Sequence, residues 1–352
     1  MAQFVPRSSF RIPSCVPKSY YPGLHANSIE KIKAVLGNVD LVLECRDMRI
    51  PLSTQNPYLE KAIIGRQRIV VYTRADYCTD SAYAKDTLRR IHGRNNVFFW
   101  DKLKPGTTVK LLARLREVAK EQDSLTGLQA MVVGMPNVGK SSLVNQMREQ
   151  GTPSLLMKGF KSKTGDMAGV TRHVGSSVRV ILSAPEKRGV AHGVFCRDTP
   201  GVFQPYTEDG ETMIKLALIN GIKKNLISNM ILADYLLYRL NQLDPAVYAH
   251  YSQPTNSIDE ILTTLAKQRG MLEEGGLPDL RAAAEKFLSL WREGALGRYV
   301  LDPLEEEDIR EHERKMAQPA VSLSQARKTD SGANWSKKAA NSFADMKQNR
   351  RY

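Results

Sequence analysis

The feature that most constrains the fold of this chain is a glycine-rich segment at residues 134–141, Gly-Met-Pro-Asn-Val-Gly-Lys-Ser. It fits the pattern GxxxxGK[ST], follows an apolar run at 128–133 and precedes an apolar helical segment at 143–147. A strand, a glycine-rich turn and a helix in this order direct backbone N–H groups and a helix N-terminus at phosphate oxygens. The segment therefore predicts a nucleotide-phosphate site, in which Lys140 neutralises charge and the Ser141 hydroxyl binds magnesium.

Two later segments carry residue types that a magnesium–triphosphate complex requires. Asp198-Thr-Pro-Gly201 fits the pattern DxxG at the end of a strand-like run, so Asp198 is predicted to hold magnesium through water and Gly201 to contact the γ-phosphate. A polar loop at 165–172 contains Thr171, which we expect to complete the magnesium shell when the third phosphate is present.

A fourth segment predicts which base is bound. Thr73-Arg74-Ala75-Asp76 resembles the [NT]KxD guanine motif, in which the carboxylate accepts hydrogen bonds from the N1 and N2 donors of guanine. Adenine lacks that pair of donors, so the segment predicts GTP rather than ATP. The alternative interpretation is an ordinary surface ion pair between Arg74 and Asp76.

The order of apolar runs predicts an α/β fold around these motifs. Strand-like runs alternate with helix-length segments up to residue 182, which is the pattern of βαβ units and a parallel sheet. The runs at 178–182 and 193–197 are separated by a polar turn and predict a β-hairpin. We therefore expect about six mostly parallel strands flanked by helices. Beyond residue 206 the apolar spacing becomes helical and predicts a separate all-α domain of four or five helices.

Composition limits the class of protein. The chain has 352 residues, of which 42% are hydrophobic and 25% charged, which excludes a wholly disordered, collagen-like or coiled-coil chain. No apolar run reaches the roughly 18 residues of a membrane-spanning helix. The 4 cysteines lie far apart and suggest neither a disulfide framework nor a zinc site. The net charge of +14 predicts a polyanionic partner, either nucleic acid or an anionic membrane face.

Changes in composition along the chain predict four parts. Residues 1–19 are basic, contain serines and lack acids, as a mitochondrial or plastid transit leader does, although an ordinary basic tail has the same composition. Residues 20–206 form the nucleotide-binding domain and 207–302 the helical domain. Residues 303–352 are predicted to be a basic flexible tail, because they are poor in large apolar residues.

The order of the motifs identifies a family resemblance. The base motif at 73–76 precedes the phosphate loop at 134–141 and the DxxG segment, which is the reverse of an ordinary GTPase and resembles the circularly permuted GTPases. Three segments are similar to the YlqF/RbgA group: Tyr21-Pro-Gly, Cys45-Arg-Asp-Met-Arg-Ile-Pro51 and Asp198-Thr-Pro-Gly-Val202. Ala233-Asp-Tyr-Leu-Leu-Tyr238 resembles the mitochondrial members, the mitochondrial ribosome-associated GTPases.

The resemblance implies a function. The family assists assembly of the large ribosomal subunit, so we expect a slow, ribosome-stimulated GTPase that converts GTP to GDP and phosphate in the mitochondrial matrix. The expected partners are the mitochondrial large subunit and its rRNA, bound by the helical domain, with peripheral contact to the inner membrane permitted by the basic surface. The alternative is a non-hydrolysing GTP-binding scaffold on the mitochondrial ribosome, because Val202 stands where many GTPases have a water-orienting glutamine.

The resemblance also assigns roles to individual residues. His25, near Tyr21-Pro-Gly, is the candidate for the role of the missing glutamine, beside Lys140 and Thr171 as catalytic residues. Asn137 is implied as a potassium ligand, and Trp100 and Asp101 occupy the position of a second base-contacting loop. The residues expected to bind GTP are thus Thr73, Arg74, Ala75, Asp76, Trp100, Asp101, Asn137, Val138, Gly139, Lys140, Ser141, Ser142 and Gly201; those for magnesium are Ser141, Thr171 and Asp198.

Overall fold

The nucleotide-binding part is built on one six-stranded sheet. The computed structural model describes residues 4–18, 20, 23–78, 82–152, 174–183, 190–203, 207 and 209–318, with the backbone alone at 23–27. The strands are β1 (Leu41–Asp47), β2 (Arg68–Thr73), β3 (Val97–Phe99), β4 (Leu128–Gly134), β5 (Val178–Ile181) and β6 (Val194–Asp198). Their order is β3-β2-β1-β4-β6-β5, with all neighbours parallel except β5 and β6. The predicted mostly parallel sheet and its antiparallel hairpin are confirmed.

Ten α-helices lie in the described ranges. They are α1 (Gly23–Leu36), α2 (Pro57–Ala62), α3 (Ala82–His92), α4 (Pro105–Gln122), α5 (Lys140–Gly151), α6 (Gly210–Leu218), α7 (Asn229–Leu243), α8 (Ile258–Arg269), α9 (Leu280–Arg292) and α10 (Glu306–Ala317). None of these helices is both long enough and apolar enough to cross a membrane.

The arrangement of the sheet determines where a ligand binds. The central strand β1 is buried along its whole length, as expected for a parallel strand covered by helices on both faces. Chain order reverses between β1 and β4, which lie side by side at the centre of the sheet. Ligands of such sheets bind outside the carboxyl ends of the strands at this point. The segments after β1, β2, β4 and β6 all begin at that edge.

The helices α6 to α9 form the predicted all-α part, in which α9 packs against α7 and α8. The helix starts are well defined: the Asp279 carboxylate accepts hydrogen bonds from the backbone N–H groups of Arg281 and Ala282, both at 2.9 Å. The apolar core is continuous from the sheet into these helices, from Leu41 and Val132 to Leu236 and Phe287. The two parts therefore share one core.

Two segments that the composition predicts to be a leader and part of a flexible tail are packed against the folded protein. In residues 4–18, Arg7 forms an ion pair with Asp234 of α7 at 2.8 Å, and Val16 is buried. Residues 306–317, in the predicted tail, form α10, and its Ile309 is buried in a cluster that includes Leu88 of α3. The cleavage of the leader and the flexibility of residues 319–352 stay predictions, and the latter lie outside the described residues.

Candidate functional site

The phosphate loop joins β4 to α5 and has the backbone that its glycines permit. Asn137 and Gly139 have positive φ angles of 60° and 87°. A Cβ atom on Gly134 would lie 2.3 Å from the carbonyl oxygen of Cys45, so only glycine fits there. The loop ends at Lys140, the first residue of α5, with Ser141 and Ser142 in the first turn. Its N–H groups and the helix N-terminus form an anion-binding concavity.

Lys140 and Ser141 meet the end of β6. The Lys140 Nζ donates to the Met135 carbonyl at 2.7 Å, and burial lowers the pKa of this ammonium group. The Ser141 hydroxyl donates to Asp198 Oδ2 at 2.5 Å. The structure thus brings together both predicted magnesium residues that it describes. The third, Thr171, lies outside the described residues.

The chemistry of this pair fits a hydrated magnesium ion. Asp198 is buried, and within the described part of the chain its Oδ1 atom has no hydrogen-bond partner. Burial raises the pKa of its carboxyl group, while Ser141 and Lys140 lower it. The described residues contain no cluster of three or more His, Cys, Asp or Glu residues that could hold a metal alone. Magnesium takes one or two carboxylates and completes its shell with phosphate oxygens and water, so Asp198 and Ser141 are donors of the type that it uses.

The DxxG segment lies directly against the phosphate loop. A Cβ atom on Gly201 would lie 2.6 Å from the Pro136 ring, so a side chain here would displace one segment from the other. The next residue, Val202, donates its backbone N–H to the Gly134 carbonyl at 3.1 Å. The Thr199 hydroxyl anchors the segment further by donating to the Val132 carbonyl at 2.7 Å. Gly201 is therefore held beside the loop that binds the phosphates.

The base motif is fastened to the phosphate loop as well. The Thr73 hydroxyl donates to the Val138 carbonyl at 2.6 Å, so threonine supplies a tie between the two loops. Arg74 adopts a left-handed conformation, with φ 56°, and its Nη2 lies 3.4 Å from the Asn137 carbonyl oxygen. Asp76 is half-buried, and burial together with the nearby Asp101 carboxylate raises the pKa of its carboxyl group. A group that donates hydrogen bonds to Asp76 would stabilise its charged form and so offset the free-energy cost of burying the carboxylate.

The segment at Trp100 and Asp101, predicted to be a second base-contacting loop, supports the base motif through its backbone. The Trp100 carbonyl accepts from the backbone N–H of Ala75 at 3.2 Å and so supports the base motif. Its indole is in the core and donates to the Thr108 hydroxyl at 2.8 Å. Asp101 is buried and accepts from the backbone N–H of Leu103 at 2.8 Å. The ring therefore packs in the protein interior and does not cover a base.

Val202 and His25 are related through α1. The Val202 side chain is 2% exposed and packs in a cluster with Ile32 and Leu36 of α1, so it is a core residue and cannot orient water. His25 is also a residue of α1. The side chain of His25 lies outside the described residues.

Two features of the site were not expected from the motifs: a contact with the helical part and a buried ion pair. The Asn137 amide Nδ2 donates to the Ile219 carbonyl, at the end of α6, at 2.8 Å. Asp47, the last residue of β1, and Arg49 form a buried ion pair at 2.7 Å beside the base motif. The only sequence signal for the latter is that charged residues follow an apolar strand that ends at a ligand-binding edge. Asn137–Ile219 has no local signal, because its partner is a backbone atom.

These features define a circularly permuted P-loop GTPase: the phosphate loop, DxxG segment and guanine motif meet at the carboxyl edge of the sheet, in permuted chain order. The family model described as 50S ribosome-binding GTPase matches residues 129–272. Among solved structures, YlqF from T. maritima bound to GNP covers 78% of this chain and 97% of its own, with a TM-score of 0.53 and 21% identity.

Curated relatives identify the family within this class. Mitochondrial GTPase 1 of Schizosaccharomyces japonicus is 33% identical over 318 residues, which cover 82% of this chain and 91% of the relative. Mitochondrial ribosome-associated GTPase 1 of Xenopus tropicalis is 32% identical over 319 residues, covering 84% and 98%. The chain belongs to the family of the mitochondrial (ribosome-associated) GTPase 1 proteins.

Proposed function

We propose that this protein hydrolyses GTP as an assembly factor of the mitochondrial large ribosomal subunit, and that the helical domain couples the nucleotide state to rRNA binding. The names of its relatives support a mitochondrial, ribosome-associated role. The observation that carries the coupling is the hydrogen bond from the Asn137 amide, in the phosphate loop, to the Ile219 carbonyl at the end of α6. A change at the phosphates reaches the helical domain through this contact.

The residues around the phosphates divide the work of binding. Magnesium, when bound, would neutralise charge on the phosphate oxygens. Ser141 and Asp198 are the described residues that would hold it, and Thr171 would join them in the triphosphate state. Lys140 adds a buried positive charge, and Gly201 offers its N–H beside Pro136. Loss of the γ-phosphate frees Gly201 and Thr171 first, and the segment at 198–203 precedes α6 in the chain.

Water activation is assigned to residues other than Val202. We assign to His25, a residue of the helix α1 that packs against Val202, the role of the group that orients water. The side-chain Nδ2 of Asn137 donates to the Ile219 carbonyl, so the side-chain Oδ1 of Asn137 is the atom that would bind a potassium ion. A cation at this position would supply the charge that an arginine gives in other GTPases.

The charge of the chain supports an RNA partner. The net charge of +14 favours phosphate-rich surfaces, and the basic residues beyond 318 contribute part of it. We place the protein in the mitochondrial matrix, where its basic surface also permits peripheral contact with the inner membrane. Binding to rRNA is expected to weaken as salt rises, because it depends on counterion release.

GTP hydrolysis in potassium and in sodium, with and without mitochondrial large subunits, tests the proposal. We expect slow turnover that potassium and large subunits stimulate, and that Lys140→Ala abolishes. His25→Ala should lose about 10²-fold in kcat if this side chain orients water, with little change in GTP affinity. GTP binding without hydrolysis under every condition would overturn the enzyme and leave the scaffold, which the buried Val202 favours.

A further inference from the structure

The buried carboxylate of Asp47, the last residue of β1, lies between two arginines. Asp47 accepts from Arg49 Nε at 2.9 Å and from Arg49 Nη2 at 2.7 Å, a two-pronged pair with both side chains inaccessible. The same carboxylate lies 3.5 Å from Nε of Arg74, in the base motif. Both arginines lower the pKa of the Asp47 carboxyl group, so the charge is kept at neutral pH. Asp47 therefore holds the base motif and Arg49 at once.

The other side of Arg49 is occupied by the helical domain. Its guanidinium lies over the Trp291 ring of α9, 5.0 Å from the ring centroid, and 5.7 Å from that of Tyr77. Tyr77 follows the base motif directly. The backbone carbonyl of Arg49 also accepts from the Leu301 N–H at 2.7 Å. A desolvated stack of this kind is favourable by electrostatic attraction as well as by packing.

The end of α9 touches the nucleotide site at two further points. Gly294 lies against Tyr77, where an added Cβ atom would be 3.2 Å from the ring. Arg292 Nε donates to the Leu218 carbonyl at 2.7 Å, one residue before the Ile219 carbonyl that binds Asn137. One helix end thus contacts the loop that selects the base and the turn that holds the phosphate loop.

We propose that Arg49 and Trp291 are positioning residues through which α9 sets the affinity of the site for guanine nucleotides. The stack holds Arg49, Arg49 orients Asp47, and Asp47 fixes Arg74 in the left-handed conformation that begins the base loop. This inference rests on the proposed assignment of residues 73–76 to guanine. Coupling between two binding sites is reciprocal. A ligand that moves α9 would therefore change the affinity for nucleotide by some factor, and bound nucleotide would change the affinity for that ligand by the same factor.

The test compares Trp291→Leu with Phe287→Leu in the full-length protein. Both remove an aromatic side chain from the buried face of α9, but Phe287 packs in the core and has no part in the stack on Arg49. We expect Trp291→Leu to weaken the binding of fluorescent GDP and GTP analogues about fivefold and to raise KM with little change in kcat. Phe287→Leu should lower Tm but leave both Kd values unchanged. Equal Kd values for the two variants would overturn the proposal.

A second variant keeps the test decisive if Trp291→Leu folds poorly. Arg49→Lys retains the charge but loses the two-pronged pair and the planar group that stacks on Trp291. Arg49→Lys should also weaken the binding of both nucleotides to a similar extent. Unchanged nucleotide binding would contradict the role of Arg49.

Failure of the base assignment is detected separately with Asp76→Asn. An asparagine amide cannot accept from both guanine donors, so this variant should lose GDP affinity and gain affinity for xanthosine diphosphate, whose C2 oxygen accepts from the amide. Unchanged GDP binding in Asp76→Asn would refute the assignment of the loop. Loss of binding there, with no effect of Trp291→Leu or Arg49→Lys, would refute the coupling alone.

Discussion

At the scale of single residues, we expect Asp198, the proposed magnesium residue, to lower the stability of the ligand-free protein. Its carboxylate is buried, its Oδ1 has no partner among the described residues, and burial raises its pKa. A carboxyl group whose pKa is raised in the folded state destabilises that state at pH values above its unfolded-state pKa, where burial of the charged form is unfavourable. The penalty declines as pH falls and the folded protein takes up the proton first.

We therefore expect Asp198→Asn to stabilise the nucleotide-free protein by about 1 kcal/mol at pH 7.5, because the amide carries no charge to desolvate. Urea unfolding at several pH values is the measurement. The advantage of the variant should shrink as pH falls toward the ordinary carboxyl range. With GDP and magnesium the order should reverse, since the variant lacks the metal ligand. A variant less stable than the parent at neutral pH without ligand would contradict this account.

At the scale of elements, residues 4–18 act as a structural segment of the helical part. The Phe10 ring packs edge-on against Tyr235, with ring centroids 5.2 Å apart, and at a tilt against Tyr238, with centroids 5.7 Å apart. The Arg7 guanidinium lies 5.7 Å from the Phe10 ring centroid. Arg7 also donates to the Asp234 carboxylate. If a leader is removed after residue 19, these aromatic rings of α7 lose their cover.

Phe10→Ala should accordingly lower the free energy of unfolding by about 2 kcal/mol, from lost apolar burial and two aromatic contacts. Val5→Ala is the matched control, because Val5 is 73% exposed. Chemical denaturation of both variants, monitored by circular dichroism, gives the difference. Equal stabilities would mean that the segment does not stay docked in solution.

The sequence predicted the elements better than the contacts between them. The phosphate loop and the β5–β6 hairpin follow from contiguous runs, whose spacing fixes local backbone conformation. Spacing does not fix side-chain direction, so Trp100 could be placed next to the base motif while its indole packs in the core. Neither could local pattern reveal α10: its segment is mostly charged, and Ile309 becomes a core residue only because α3 offers an apolar surface.

On the scale of the whole molecule, a buried polar cluster joins the sheet to the helices. Asp302, after α9, accepts from the backbone N–H groups of Leu52 and Ser53 at 2.8 Å and from the Ser53 hydroxyl at 2.6 Å. Lys215 of α6 completes the cluster at 3.1 Å from Asp302 and 3.1 Å from Glu211. Asp302 therefore binds the loop after β1 directly, and Lys215, from the other end of the helical part, pairs with Asp302.

This cluster and the shared core predict that the protein unfolds as one unit. Thermal unfolding should show a single transition by fluorescence and circular dichroism, and GDP with magnesium should raise its midpoint. Lys215→Met leaves the Asp302 charge buried without its ion pair, and should lower the free energy of unfolding by about 3 kcal/mol. Lys267→Met, at an exposed position of α8, should have little effect.

Hydrogen exchange separates this account from two independently folded parts. If nucleotide binding is transmitted through the loop after β1, GDP should raise amide protection in α9 as well as in α5, and Lys215→Met should reduce the gain in α9 more than that in α5. Two unfolding transitions, of which GDP shifts only the one that belongs to the nucleotide-binding part, would instead show that the helical part folds alone. In that case the contacts at the end of α9 would be too weak to couple the nucleotide site to the helical part, because coupling requires an element whose equilibrium both sites bias.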